Sequence, residues 1–359
     1  MFARTHHGWI GLDIGASNVK LAQVVRRGDR LVLENAAVVP RNVVWQEDNL
    51  AEAPAVSAAE EIAAALVTAP QIAGRQAAVL LPSTACQLNT APEANDHGQV
   101  TAIVEGLAAV GIRLEGRVFD FWPALPSKRG EHTVNVLSTG RGWPETAVAD
   151  LQRSKLSCQT IDGVPHALAR AVSHVHPPGP HPVGVLNWSF TSATFVLVDQ
   201  GQPVYVRSMK NTSLARALVD VAQQLDLEFD EAGELLRTVN LAPHPAMPQD
   251  EVAEVLSELL EPTIKSLVAE MEKTLEHLHN LGKNMTPKRL FLAPQTVYLL
   301  GGGATLGGVD LLLTQRLRRQ VRIWTLNDES ESVAAARGVP LCLLGQAIAL
   351  SALRWEAAT

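Results

Sequence analysis

The chain has 359 residues, of which 47% are hydrophobic and 19% are charged, and this composition predicts a folded protein with more than one core. Its net charge of −7, with both signs dispersed, excludes a basic surface for nucleic acid or an anionic membrane. The widely spaced Cys86, Cys158 and Cys342 exclude a disulfide framework or a zinc knuckle and favour a cytoplasmic protein.

Two stretches of the sequence bear on targeting and membrane insertion. Residues 1–7 are too short and too polar for a signal peptide, and no uninterrupted apolar run reaches ~18 residues. The most apolar stretch, 339–353, is interrupted by Gly345 and Gln346, so we expect a buried helix there.

The first elements in chain order are two strands joined by a glycine turn, within residues 11–25. Gly15 allows backbone N–H groups to approach a phosphate, and Ser17 adds a hydroxyl beside Asn18. Asp13 either holds Mg²⁺ through water or caps N–H groups of the turn. Lys20 either reaches a phosphate or lies on the solvent face. The hairpin therefore predicts a nucleotide site.

The next elements extend this first half. Residues 31–39 predict a third strand, the capping box Ser57-x-x-Glu60 predicts a helix through Thr68, and 77–81 predicts a buried strand. This order is similar to the ribonuclease H-like unit. The irregular stretch 84–143, with a helix candidate at 99–110 and strand candidates at 117–121 and 133–137, predicts a small inserted subdomain.

A linker and a second hairpin follow. Residues 174–182 contain four prolines and three histidines, which we interpret as solvated rather than metal-bound. The hairpin of 185–195 then repeats the first one and indicates two related halves. In this copy Asn187 takes the place of Asp13, Ser189 that of Gly15 and Thr191 that of Ser17.

The second half is predicted to be rich in helices. The longest pattern covers 250–281, and Pro262 is expected to break or kink it. Residues 296–300 then predict a strand that ends in Gly301, Gly302 and Gly303. Three glycines in a row let the backbone lie flat against an adenine ring or ribose.

In this order the parts resemble the PilM family of type IV pilus assembly proteins, relatives of FtsA in the actin-like ATPase superfamily. Further segments carry the resemblance: 77–83, 134–137, 146–156, 261–278 and 345–354. The resemblance implies an α/β fold of two ribonuclease H-like halves with small inserted subdomains. The implied division is a first core subdomain at 1–83 and 144–173, an insert at 84–143, a linker at 174–182, a second core at 183–208 and 295–359, and an insert at 209–294.

The resemblance also implies a function. In the family the cleft holds ATP and Mg²⁺, and a groove between the first half and its inserted subdomain receives the N-terminal peptide of the inner-membrane protein PilN. The expected role is a cytoplasmic scaffold, docked on the inner membrane through that partner, in pilus assembly, twitching motility, secretion or competence. Nucleic acid is not an expected partner.

Departures from the family pattern predict a degenerate cleft with little or no hydrolysis. Asn187 removes a carboxylate, Trp188 and Ser189 add side chains where phosphates lie, and Leu236 stands where the family tends to have a lysine. An active ATPase, or a sugar kinase with Asp120 or Asp162 as its base, is the alternative. A self-associating, filament-forming relative is a further one.

Overall fold

The computed structural model describes most of the chain. The described residues are 6–28, 30–42, 55–69, 71–94, 98–126, 131–209, 211–242, 251–285, 292–326, 336 and 338–356. They form three sheets flanked by helices. No helix among these residues is long and apolar enough to cross a bilayer.

The first sheet is built on the N-terminal hairpin, in the strand order β1-β3-β2-β5-β9 with β4 paired to β3. β2 is antiparallel to β3 and parallel to β5. Apolar side chains of β2 and β5 pack on one face against α1 and α3. The elements of this half are β1 (His6–His7), β2 (Ile10–Ile14), β3 (Asn18–Arg27), β4 (Arg30–Pro40), α1 (Ala59–Thr68), β5 (Gln76–Leu80), α3 (Gly142–Arg153), β9 (Ser157–Asp162) and α4 (Val164–Ser173).

A small three-stranded antiparallel sheet, in the order β6-β8-β7, is inserted between β5 and α3. One of its faces packs on α2 through Ile103 and Leu107. The sequence predicted α2 and two of the strands, and it missed β6. The elements are β6 (Cys86–Pro92), α2 (Gln99–Ala109), β7 (Arg117–Pro123) and β8 (Thr133–Gly140).

The second half repeats the pairing of the first. β10 is antiparallel to β11 and parallel to β13, in the order β12-β11-β10-β13-β14. The elements are β10 (Val183–Trp188), β11 (Ala193–Asp199), β12 (Gln202–Met209), α5 (Leu214–Leu225), α6 (Phe229–Thr238), α7 (Glu251–Asn284), β13 (Thr296–Leu300), α8 (Val309–Leu317), β14 (Gln320–Ile323) and α9 (Leu341–Glu356).

The two sheets share one apolar cluster, which α4 and α9 complete from between them. α9 lies directly on β2. The two elements are so close that a Cβ on Gly11 would overlap the carbonyl oxygen of Ala347. The apolar run at 339–353 is therefore a buried helix, as expected. This packing places the two hairpin turns on either side of one cleft.

The predicted cap of α1 was wrong, and of the break or kink predicted at Pro262 the break does not occur. Ser57 does not cap α1; its hydroxyl donates to Asp150 Oδ1 at 2.7 Å, and the helix begins without a side-chain cap. Pro262 does not break α7, which is one helix from Glu251, while the expected first residue, Asp250, lies outside the described residues. Pro262 is on the exposed face, where water can solvate the carbonyl group that lacks a helical donor.

The linker histidines are also not all solvated. Burial lowers the pKa of His174 to about 4, and the nearby guanidinium groups of Arg170 and Arg26 act in the same direction. His176 packs edge-on against Tyr298 with ring centroids 5.9 Å apart. The linker is thus packed onto both halves.

Candidate functional site

A cavity of about 630 Å³ lies between the two hairpin turns. It is within the range of ~300–1,000 Å³ that is typical of small-molecule sites. Nine of the ten predicted site residues line it: Asp13, Gly15, Ser17, Asn18, Lys20, Asn187, Thr191, Gly301 and Gly302. Gly303 lies instead under the indole of Trp188, where any Cβ would overlap the ring.

Asp13 and Lys20 form an ion pair across the β2–β3 hairpin, where they are register partners. Lys20 Nζ lies 2.7 Å from Asp13 Oδ2, and the two side chains are only 15% and 7% exposed. The solvent-face alternative for Lys20 is therefore wrong. The Asp13 carboxylate has a fixed cation beside it, which neither sequence-based alternative for this residue included.

The corresponding position of the second hairpin is neutral. Asn187 is 6% exposed, and its Oδ1 has no hydrogen-bond partner among the described residues. Gln346 of α9 lines the same cavity, is 7% exposed, and has an unpartnered Nε2. In the sequence, the one signal that marks Gln346 is that this polar residue interrupts an apolar run.

Trp188 does not enter the cavity, so the expectation that it fills the phosphate space was wrong. Its ring is fully buried in the core of the second half, and its Nε1 donates to the Thr212 carbonyl at 2.8 Å. Ser189 does line the cavity, and its hydroxyl donates to the Ser192 carbonyl at 2.7 Å. The second turn therefore stays open despite its larger residues.

Neither acid proposed as a kinase base lines the cavity. Asp162 Oδ2 accepts a hydrogen bond from Arg170 at 2.7 Å, and Asp120 Oδ1 accepts from the backbone of Phe121. Asp230 and Glu234 reach the cavity from the far wall on α6, where Glu234 pairs with Arg237. The alternative of a sugar kinase that uses Asp120 or Asp162 loses its catalytic base.

The wall formed by the two hairpins does not fit Mg²⁺ well. This ion prefers oxygen ligands and uses carboxylates together with phosphate oxygens and water. Asp13 is the one carboxylate that the two hairpins place on the wall, and Lys20 already neutralises it. No group of three or more His, Cys, Asp or Glu among the described residues could hold a metal ion.

A second groove, of about 360 Å³, runs between the inserted subdomain and the second half. Two hydrogen bonds hold its walls together: Trp122 Nε1 donates to the Pro203 carbonyl and Leu125 N to the Val204 carbonyl. Its lining includes Leu88, Asn89, Thr90, Leu125, Asn135, Tyr205, His277 and Leu281. This groove lies against β12 and α7; the groove that the family resemblance implies, formed by the first half with its inserted subdomain, stays a prediction.

The duplicated hairpin-and-sheet unit around a cleft defines the actin-like ATPase fold. MreB 5 of Spiroplasma citri bound to AMPPNP has a similar structure. The match covers 99% of this chain and 99% of that chain, with 10% identity and a TM-score of 0.53. The ethanolamine utilization protein EutJ from Carboxydothermus hydrogenoformans covers 96% of this chain and 89% of its own, with 14% identity and a TM-score of 0.50.

The chain belongs to the family of type IV pilus assembly protein PilM, which matches residues 11–339. A solved PilM-PilN type IV pilus biogenesis complex is similar over 97% of this chain and 98% of that one, with 21% identity and a TM-score of 0.72. A comparison with curated protein sequences finds no match.

Proposed function

We propose that this chain is a cytoplasmic PilM-type scaffold of a type IV pilus, or of a related secretion or DNA-uptake machine. It binds the N-terminal peptide of a PilN-like protein and is thereby held at the inner membrane. Family membership supports this role, and so does the similarity to a PilM-PilN complex along nearly the whole chain.

The observation that carries the peptide-binding proposal is a buried, unpartnered amide in the groove beside the inserted subdomain. Asn135 is 3% exposed, its Nδ2 has no hydrogen-bond partner among the described residues, and it lines the groove. A buried donor without an acceptor is costly, so its presence indicates an acceptor from outside the chain. A peptide carbonyl supplies one.

The groove also offers an edge strand, which suits an extended peptide. β6 is an edge strand of its sheet, and Leu88, Asn89 and Thr90 from this strand line the groove. An edge strand offers backbone hydrogen bonds, while Leu125 and Leu281 offer apolar surface for alternate side chains. We therefore place the partner peptide along β6.

The cleft supports a pseudo-ATPase. The hairpin wall carries one carboxylate, Asp13, which is ion-paired, and the kinase bases suggested by the sequence point elsewhere. ATP stays a candidate ligand of the cleft, whereas Mg²⁺ has little support. Self-association also stays a prediction.

The test is a binding titration with a fluorescein-labelled peptide from the N-terminus of a PilN-like protein encoded beside this chain. Thr90→Arg places a long charged side chain in the groove from an exposed strand position, and we expect at least a tenfold loss of affinity. Asn135→Ala removes one hydrogen bond and should weaken binding by roughly 3–10-fold.

Asn284→Ala, at the exposed end of α7, is the matched control and should bind like the parent protein. Folding is checked by the melting temperature of each variant. Failure of the parent to bind at micromolar peptide contradicts the partner proposal. Normal binding by Thr90→Arg contradicts the location in this groove.

A further inference from the structure

One wall of the cleft holds a cation in a fixed place. The side chain of Lys20 is only 15% exposed, and its ammonium nitrogen lies 2.7 Å from Asp13 Oδ2. An ammonium group has three donors, and Asp13 accepts one of them. Donors therefore remain for an anionic ligand in the cavity.

Other donors converge on the same cavity. Gln346 Nε2 is buried and has no partner among the described residues, so it points to a ligand acceptor. Ser17 Oγ accepts a hydrogen bond from Asn18 Nδ2 at 2.8 Å, and its own hydrogen can be donated. An ammonium, an amide and a hydroxyl together suit the oxygens of a phosphate chain.

The cavity lining also includes apolar side chains. Phe190 and Phe229 meet there edge to face with ring centroids 5.9 Å apart, beside Leu214 and Leu218. Such a surface buries a flat ring well. A ligand that carries both phosphates and a flat ring suits the two kinds of side chain in this lining.

A divalent cation fits poorly between such a ligand and the wall. Bound to Asp13, it would lie next to the ammonium of Lys20, and the two like charges would repel each other. The opposite hairpin contributes the neutral amide of Asn187, which supplies no charge. Lys20 already provides the positive charge that phosphates need.

We propose that the cleft binds a nucleoside polyphosphate without a divalent cation, with Lys20 as the counter-charge. This inference rests on the degenerate cleft of the proposed function and specifies its ligand. Binding of this kind holds the two halves together without supplying the metal chemistry of hydrolysis.

The experiment is isothermal titration calorimetry of the full chain with ATP and with ADP, in EDTA and in millimolar Mg²⁺. We expect the dissociation constants in EDTA to be equal to those in Mg²⁺ within about threefold, or tighter, because the ligand phosphates need no metal. Binding that is more than tenfold tighter in Mg²⁺ overturns the proposal.

Variants distinguish a site in which Lys20 binds the phosphates from a site in which Asp13 binds a metal. Lys20→Met should lose at least tenfold in affinity, whereas Asp13→Asn should keep or improve it in EDTA, since it removes a nearby negative charge. In Mg²⁺, a site that needs a metal on Asp13 predicts a loss of affinity for Asp13→Asn. Lys265→Met, an exposed lysine on α7, is the matched control.

Lys20→Met leaves the Asp13 carboxylate buried and unpaired, so the double variant Asp13→Asn/Lys20→Met keeps the test valid if the single variant unfolds. It should also lose nucleotide binding. Absence of any binding by the folded parent at millimolar ATP and ADP overturns the inference. That result leaves peptide binding intact, and loss of peptide binding alone contradicts only the scaffold proposal.

Discussion

The two hairpins that face the cleft share a backbone and differ in chemistry. Both begin with a buried strand that is antiparallel to the next strand and parallel to a later one. Both turns close with a similar hydrogen bond, Gly15 N to Asn18 O at 2.9 Å and Ser189 N to Ser192 O at 3.0 Å. The first hairpin carries an ion pair, and the second is neutral.

The strand pairing and the polar side chains at the cleft are therefore under different structural constraints. The sheet cores fix the strand pairing, since each hairpin buries apolar residues on its inner faces. The polar side chains at the cleft contribute little to that packing, so they can change without loss of fold. Architecture is therefore duplicated in this protein, while the ion pair at the cleft belongs to the first hairpin and has no counterpart on the second.

The largest expected effect breaks the second hairpin. Trp188→Ala should lower the free energy of unfolding by about 4–5 kcal/mol, because it leaves a large cavity and strands the Thr212 carbonyl. Ile14→Ala, at the equivalent position of the first hairpin, should cost about 2–3 kcal/mol. Urea titrations measure both, and an equal or reversed order contradicts the greater anchoring of the second turn.

Acid should have the next largest effect. The pKa of His174, about 4, lies below the ordinary 6.5, so the unfolded chain takes up a proton that the folded chain does not. His174 stabilisation is complete above pH 6.5 and falls as the pH drops toward 4. The loss at pH 5 is about 2 kcal/mol.

The measurement is the free energy of unfolding at pH 7.5 and pH 5 for the parent and for His174→Gln, with exposed His181→Gln as the control. We expect the decrease between the two pH values to be smaller in His174→Gln by about 2 kcal/mol. An unchanged decrease would show that this histidine is not buried in its neutral form. Burial also lowers the pKa of His166 on α4, so the comparison with His174→Gln isolates the share of the acid response that belongs to His174.

The smallest expected effect comes from a substitution that gives the second hairpin a carboxylate at the cleft. Asn187→Asp should destabilise the protein by about 1–2 kcal/mol in EDTA, because it buries a carboxylate without a cation. About 10 mM Mg²⁺ should restore about 1 kcal/mol in this variant by binding to the folded state. The parent, measured in parallel, should not respond; an equal response of both proteins contradicts the role given to Asn187.

The hairpins themselves were predictable, because alternating apolar residues and turn residues are local signals. The glycine run after β13 and the buried helix α9 followed from the same kind of pattern. The sequence therefore predicts nine of the residues that line the cavity. Gly303 was assigned to the wrong surface, since its role depends on a tryptophan far away in sequence.

Tertiary contacts account for the rest. Ser57 has the sequence of a cap, yet Asp150 accepts its hydroxyl hydrogen and also binds the backbone N–H of Ala58. The pairing of Lys20 with Asp13 depends on strand register, and the direction of Trp188 depends on how the second core is filled. A local pattern contains none of this information.

The closing contact of α9 has a consequence for how the protein is made. Ser351 accepts a hydrogen bond from the backbone of Val24 and donates to the carbonyl of Trp9, at separations of 327 and 342 residues. The ribosome must therefore release almost every residue between these partners before the first sheet receives its last layer. We expect the N-terminal hairpin to wait unfinished during synthesis, so that chaperone contact with a nascent chain persists until α9 emerges.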